Sequence, residues 1–170
     1  KVEPNSTWWN VGEQADPAAP VRPNSAHLYR LITYQYVHPA TLACPENPLA
    51  ARTTSEGQTD WRSPQETSYS YQNQYRADPL RIDAVPDLAV LADKTPLFDG
   101  PQYQRDLLPT SPSELHQRVG QNVLSIDGSM QWTSDPVVEG DNIWLPEYID
   151  PDTVRGTEVP TEEDDSFLAP

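Results

Sequence analysis

Nineteen prolines against seven glycines in 170 residues set the first limit on what this chain can fold into. Each proline fixes its own φ and removes a backbone hydrogen-bond donor, so 19 prolines spread over 170 residues interrupt helices and strand ladders alike. The expectation is a fold of short elements joined by stiff loops. Hydrophobic residues make up 36% of the chain, enough at this length for one core and one domain rather than two.

Charge narrows the partners. Eleven Lys and Arg stand against 26 Asp and Glu, a net charge of −15, which repels phosphate backbones and anionic headgroups and argues against nucleic-acid binding. Residues 111–170 hold 13 of the acids and only Arg118 and Arg155 as bases, so the excess gathers in the C-terminal third. A lone Cys44 rules out an internal disulfide framework and a cysteine-based zinc cluster. No stretch approaches the roughly 20 apolar residues needed to span a bilayer.

Along the chain, residues 1–23 carry Trp8 and Trp9 in an irregular proline-alanine lead-in. Leu28, Leu31, Ile32 and Tyr36 fall at helical spacing, with Asn24 or Ser25 available as a cap and His38-Pro39 as the stop, which predicts a helix over 24–37. Cys44-Pro45-Glu46-Asn47-Pro48 reads as a stiff turn. Thr67 to Gln74 alternates Tyr69 and Tyr71 with small polar residues, a strand with one aromatic face, and Leu88 to Ala92 is a continuous apolar run suited to a central strand ending at Asp93-Lys94.

Gln121 to Ile126 and Ser129 to Thr133 flank Asp127-Gly128, a strong local hairpin signal. A two-residue loop places Val123 opposite Trp132 and Ser125 opposite Met130; a three-residue loop with Gly128 in the left-handed position shifts those pairs by one. Trp132, Val123 and Leu91 are expected in the core, and Gly128 at positive φ. A last short strand is expected around Ile143-Trp144-Leu145. Residues 1–150 form the expected domain and 151–170 an acidic extended tail, whose Ser166-Phe167-Leu168 end either stays disordered or docks. The fold class is α+β, one helix on a small antiparallel sheet with long proline-rich loops.

Signatures of catalysis are absent. His27, His38 and His116 share no metal-ligand spacing, and no zinc-protease, nucleophile-elbow or phosphate-loop motif occurs. His116 and Asp127 with a serine could make a nucleophile triad, but a hydrogen-bonding histidine beside a hairpin is the simpler reading, and no enzymatic activity is assigned. Cys44 has no base near it in sequence and reads as a small buried residue. Asn5-Ser6-Thr7 matches a glycosylation acceptor, a pattern common by chance. Asp135, Glu139 and Asp141 around Gly140 are calcium candidates, against the plainer reading of a solvated acidic loop; no other cofactor is expected.

Taken in order, Tyr36-Val37, Leu42-Ala43-Cys44-Pro45, Ser68-Tyr69-Ser70-Tyr71, Ala89-Val90-Leu91-Ala92-Asp93 and the segment from His116 through Gln121-Asn122-Val123 to Asp127-Gly128 resemble one family. It is the prepilin-type, His-x9-Asp-Gly group of bacterial pseudopilin-like proteins, and the resemblance covers about residues 24–135. Ten residues rather than nine separate His116 from Asp127 here. The resemblance implies a pseudopilin-like head, exported to the periplasm or cell surface, that packs with other pilin-like subunits in a type II secretion-like or pilus-like filament. It also implies a cleaved leader and an apolar anchor helix, the only membrane contact, neither of them among these residues. It carries over no catalytic residue; His116, Asp127 and Gly128 correspond to motif positions of structural role. The alternative is a soluble extracytoplasmic binding module, with Trp8, Trp9, Trp61, Trp132 and Trp144 stacking on carbohydrate. A small hydrolase is the third reading.

Overall fold

The computed structural model describes residues 23–74, 85–99, 102–154 and 158–170. Trp8, Trp9 and the Asn5-Ser6-Thr7 acceptor lie outside them. The architecture is α+β: among the described residues there are one α-helix, a five-stranded antiparallel sheet and two small hairpins. No helix among the described residues is long and apolar enough to cross a membrane.

Helix α1, Asn24–Thr33, is four residues shorter than its spacing predicts. Gln35 takes a left-handed φ of 61°, and the N–H groups of Gln35 and Tyr36 return to the carbonyls of Ile32 and Leu31. That pair of bonds is a Schellman closure, which ends the helix before Tyr36 and leaves Tyr36 in solvent. Neither expected cap residue caps. Pro23 holds the cap position, while the Asn24 amide and the Ser25 hydroxyl reach Tyr71 O and Asp60 Oδ2. Leu28 and Ile32 face inward as expected, whereas Leu31 is exposed.

The main sheet uses β1 (Tyr69–Gln72), β2 (Ala89–Asp93), β5 (Gln121–Ser125), β6 (Met130–Thr133) and β9 (Leu168–Ala169) in the order β6-β5-β2-β1-β9. The apolar run 88–92 thus sits at the centre, paired on both sides, with a register shift between Ala89 and Leu91. Strand alternation then sorts side chains to two faces. Tyr69, Tyr71 and Leu91 meet Leu28, Tyr29, Ile32, Leu42 and Trp61 on the helix side. Ala89, Ala92 and Val123 meet a second cluster built from the C-terminal third, including Ile143, Trp144, Leu145, Phe167 and Leu168.

The β5–β6 hairpin closes through the three-residue loop Ile126-Asp127-Gly128, with Ser125 N–H bonded to Ser129 O at 2.9 Å and Gly128 at φ 87°. Val123 therefore pairs with Gln131, and Asn122 with Trp132. Because side chains alternate, that single step moves Trp132 off the core face; it is half-exposed, while Val123 is fully buried. The expectation of a core Trp132 is overturned by the loop length.

Two further expectations change. Ile143-Trp144-Leu145 is buried but forms a turn beyond the hairpin of β7 (Val137–Val138) and β8 (Asp141–Asn142), not a strand. A second small hairpin joins β3 (Phe98–Asp99) to β4 (Gln102–Tyr103). The stretch read as an acidic extended tail ends inside the protein: Asp165 to Pro170 are all buried, and Leu168 and Ala169 extend the main sheet beside β1. The boundary at residue 150 does not hold, because Phe167 and Leu168 complete the second core cluster.

Candidate functional site

Three buried or half-buried groups from distant parts of the chain converge at one end of β2. The first comes from the turn after the short helix Pro39–Leu42, where Leu42 is buried and Ala43 turns the chain into extended backbone. Cys44 follows, 2% exposed, with Asn47 N–H closing the turn on Cys44 O at 3.1 Å. The Asn47 amide is bonded to Gln65 O, Thr67 O and Ser68 Oγ, which ties the turn to the start of β1. Pro45 is exposed on its outer side and stiffens it.

Asp93, the last residue of β2, supplies the second group and is 1% exposed. Its Oδ2 accepts the backbone N–H of Asn122 at 2.7 Å and the Asn122 side-chain amide at 3.0 Å. The third group is His116, in a short helical segment His116–Arg118 whose three residues all take left-handed φ, 55°, 60° and 60°. Such a run is unfavourable for non-glycine residues and persists only where surrounding contacts fix it. The contacts are at hand. His116 Nε2 lies 3.2 Å from Asp93 Oδ2 and 3.7 Å from Cys44 Sγ, and the ring meets Trp132 edge-on at 5.4 Å between centroids.

Gly120 lets that wall form. A Cβ there would stand 2.5 Å from Thr133 O and 2.7 Å from the Trp132 ring, so only glycine allows Trp132 to lie down beside His116. The exposed Trp132 is in this way part of the site rather than of the core.

Burial pushes the Cys44 thiol above its ordinary value; hydrogen bonding from Glu46 N–H opposes this, the Asp93 charge adds to it, and Asn47 N–H also opposes it. Sulfur and carboxylate both approach the same ring nitrogen. A nucleophile relay needs the two ring nitrogens in different roles, one toward the nucleophile and one toward the acid. Here Nε2 cannot accept a proton from Cys44 while donating one to Asp93. The arrangement is convergent rather than serial, and it is the one group among the described residues in which three His, Cys, Asp or Glu ligand atoms lie within 4.8 Å of one another.

Cys44 is buried as expected, but the base missing from its sequence neighbourhood arrives as His116, 72 positions away. Asp127 is exposed at the hairpin tip, where hydrogen bonds from Ser129 hold its carboxyl below the ordinary value, and Gly128 completes the turn. The histidine of the motif thus belongs to the cluster, and the Asp-Gly pair to the turn. No comparable convergence joins Asp135, Glu139 and Asp141. Asp135 Oδ1 accepts Val137 N–H, Glu139 and Gly140 form the β7–β8 turn, and Asp141 Oδ2 accepts Ser166 N–H at 2.8 Å. Sequence reasoning missed Asp93, whose signal was an acid closing an apolar strand. Of the tryptophans proposed as a carbohydrate platform, Trp61 and Trp144 are core, which leaves Trp132 as the exposed one among the described residues. No protein-family model matches this chain, and neither a curated protein nor a solved structure does.

Proposed function

We propose that this chain is the exported head of a pseudopilin-like subunit and acts through subunit contacts in a pilus-like or type II secretion-like filament rather than through catalysis. The observation that carries this reading is the outer hairpin. The segment from His116 to Gly128 that resembles the family motif leads into β6, which among the described residues has a neighbour on one side only. A strand whose outer edge is unpaired among the described residues and that carries exposed Met130 and Trp132, with Val119 exposed in the preceding turn, is suited to hold another subunit. The net charge of −15 supports a protein partner over nucleic acid.

The test uses the full-length gene product in its own cells. Photo-crosslinkers at 130 and 132 are expected to capture a neighbouring pilin-like subunit, and Met130→Lys with Trp132→Glu to abolish incorporation while the head still unfolds cooperatively, at a melting temperature lowered only by the lost Trp132 contact with His116. Incorporation unaffected by the double variant, with no crosslink, would overturn the reading.

A further inference from the structure

We propose that Cys44, Asp93 and His116 bind one divalent transition-metal cation of the zinc class through Sγ, Oδ2 and Nε2. The inference is independent of the filament reading. It begins from the ring nitrogen that faces two partners. As a hydrogen-bonding group Nε2 satisfies either the sulfur or the carboxylate; as a metal ligand it has no conflict, because each of the three atoms takes a separate vertex around the ion.

Two of the three separations match that geometry, and the third, sulfur to carboxylate, lies within 4.8 Å. Zinc bonds of about 2.3 Å to sulfur and about 2.0–2.1 Å to nitrogen and oxygen, at tetrahedral angles, place S and N roughly 3.6 Å apart and N and O roughly 3.3 Å apart. The observed values are 3.7 Å and 3.2 Å. Donor chemistry then selects the ion. Thiolate with imidazole suits zinc and its neighbours, whereas calcium and magnesium require oxygen ligands. Charge also balances: thiolate and carboxylate together neutralise a dication in a site where Cys44 and Asp93 are 2% and 1% exposed.

The surroundings resemble those of a ligand set already held in place. Asn122 fixes Asp93 Oδ2 through two hydrogen bonds, the Cys44 turn is closed by Asn47 N–H and tied by the Asn47 amide to Gln65 O, Thr67 O and Ser68 Oγ, and the left-handed segment holds His116 inward. On binding, the Cys44 proton leaves to solvent as the sulfur–metal bond forms, and His116 contributes the Nε2 lone pair with its proton on Nδ1. The partial exposure of His116 leaves the fourth position to water.

The experiment titrates the reduced protein with Co2+ and then Zn2+, following absorption, and records melting with Zn2+ or with chelator. One equivalent of Co2+ is expected to give a thiolate-to-cobalt charge-transfer band in the near ultraviolet with tetrahedral d–d bands, and Zn2+ to erase them. Cys44→Ala is expected to lose the charge-transfer band and the zinc-dependent rise in melting temperature. His116→Gln, which keeps the buried sulfur, should lose the bands at one equivalent of Co2+, and Asn122→Ala should weaken binding about 10–100-fold. Absence of a charge-transfer band in the parent protein, or zinc affinity unchanged in both Cys44→Ala and His116→Gln, overturns the site.

Discussion

Phe167→Ala asks whether the C-terminal acids end in a tail or in the core. Phe167 is 0% exposed and belongs to the cluster of Trp144, Leu145, Val154 and Leu168. Its backbone is independently held, with Asn73 N–H bonded to Phe167 O at 2.8 Å and Leu168 N–H to Ile143 O at 2.7 Å, so the substitution removes the ring and leaves the strand. Emptying a buried phenylalanine site costs about 3–5 kcal/mol. With a urea dependence of roughly 3 kcal/mol per molar for a chain of this size, the unfolding midpoint should fall by about 1–1.7 M. Glu163→Gln, four residues earlier and exposed, is the control and should stay within about 0.5 kcal/mol. A midpoint for Phe167→Ala within roughly 0.2 M of the parent, at unchanged slope, would refute the docked strand.

Two other outcomes follow from the same packing. Burial pushes Asp165 up to about 6, against the N–H bonds from Thr161 and Glu147, and raises Asp141 in the same direction. Because the folded state holds these protons more tightly than the unfolded chain, stability should rise as pH falls from 7.5 toward 4.5, by about 2 kcal/mol from Asp165, and Asp165→Asn should remove most of that slope in urea melts. Gly120→Ala forces a Cβ to within 2.5 Å of Thr133 O and should cost about 1–3 kcal/mol, with a shift in Trp132 emission; unchanged stability and emission would show that Trp132 does not lie over that backbone.

What the sequence made legible were the elements whose signals are local. Asp127-Gly128 between two strand-forming runs announces a hairpin, and Leu88 to Ala92 between prolines announces a buried strand; both are present, and the strand is central. Loop parity was not legible, since two-residue and three-residue closures share the same dipeptide, and that one residue decided which face Trp132 takes. The end of α1 was hidden for a related reason: Tyr36 continues the apolar spacing, but Gln35 adopts a left-handed conformation that no composition rule assigns to it. The cluster was the least legible feature. Cys44, Asp93 and His116 carry no shared spacing, and only the β1–β2 and β2–β5 registers bring the three segments together.

The proline content with which the chain begins its constraints also explains what fills its interior. Strands of two to five residues leave many backbone groups without ladder partners, and buried groups of that kind must find others. Buried polar side chains supply them here. Asn24 bonds Tyr71 O and Ala169 O and accepts Gln74 N–H; Gln72 bonds Asp165 O; Ser166 Oγ accepts Ala89 N–H; Ser70 Oγ accepts Thr95 N–H; Gln121 accepts Ser113 N–H. Each of these bonds joins two segments at a specific backbone address, although Gln72 Oε1 is itself left without a partner among the described residues. Apolar contacts alone would leave the short elements free to slide, whereas a buried amide misplaced by one residue loses its partner at a cost of about 1–3 kcal/mol. The same logic governs the convergent cluster. Asp93 and Asn122 fasten the end of β2 to β5 by side-chain bonds, and that fastening sets the position at which His116 and Cys44 can meet.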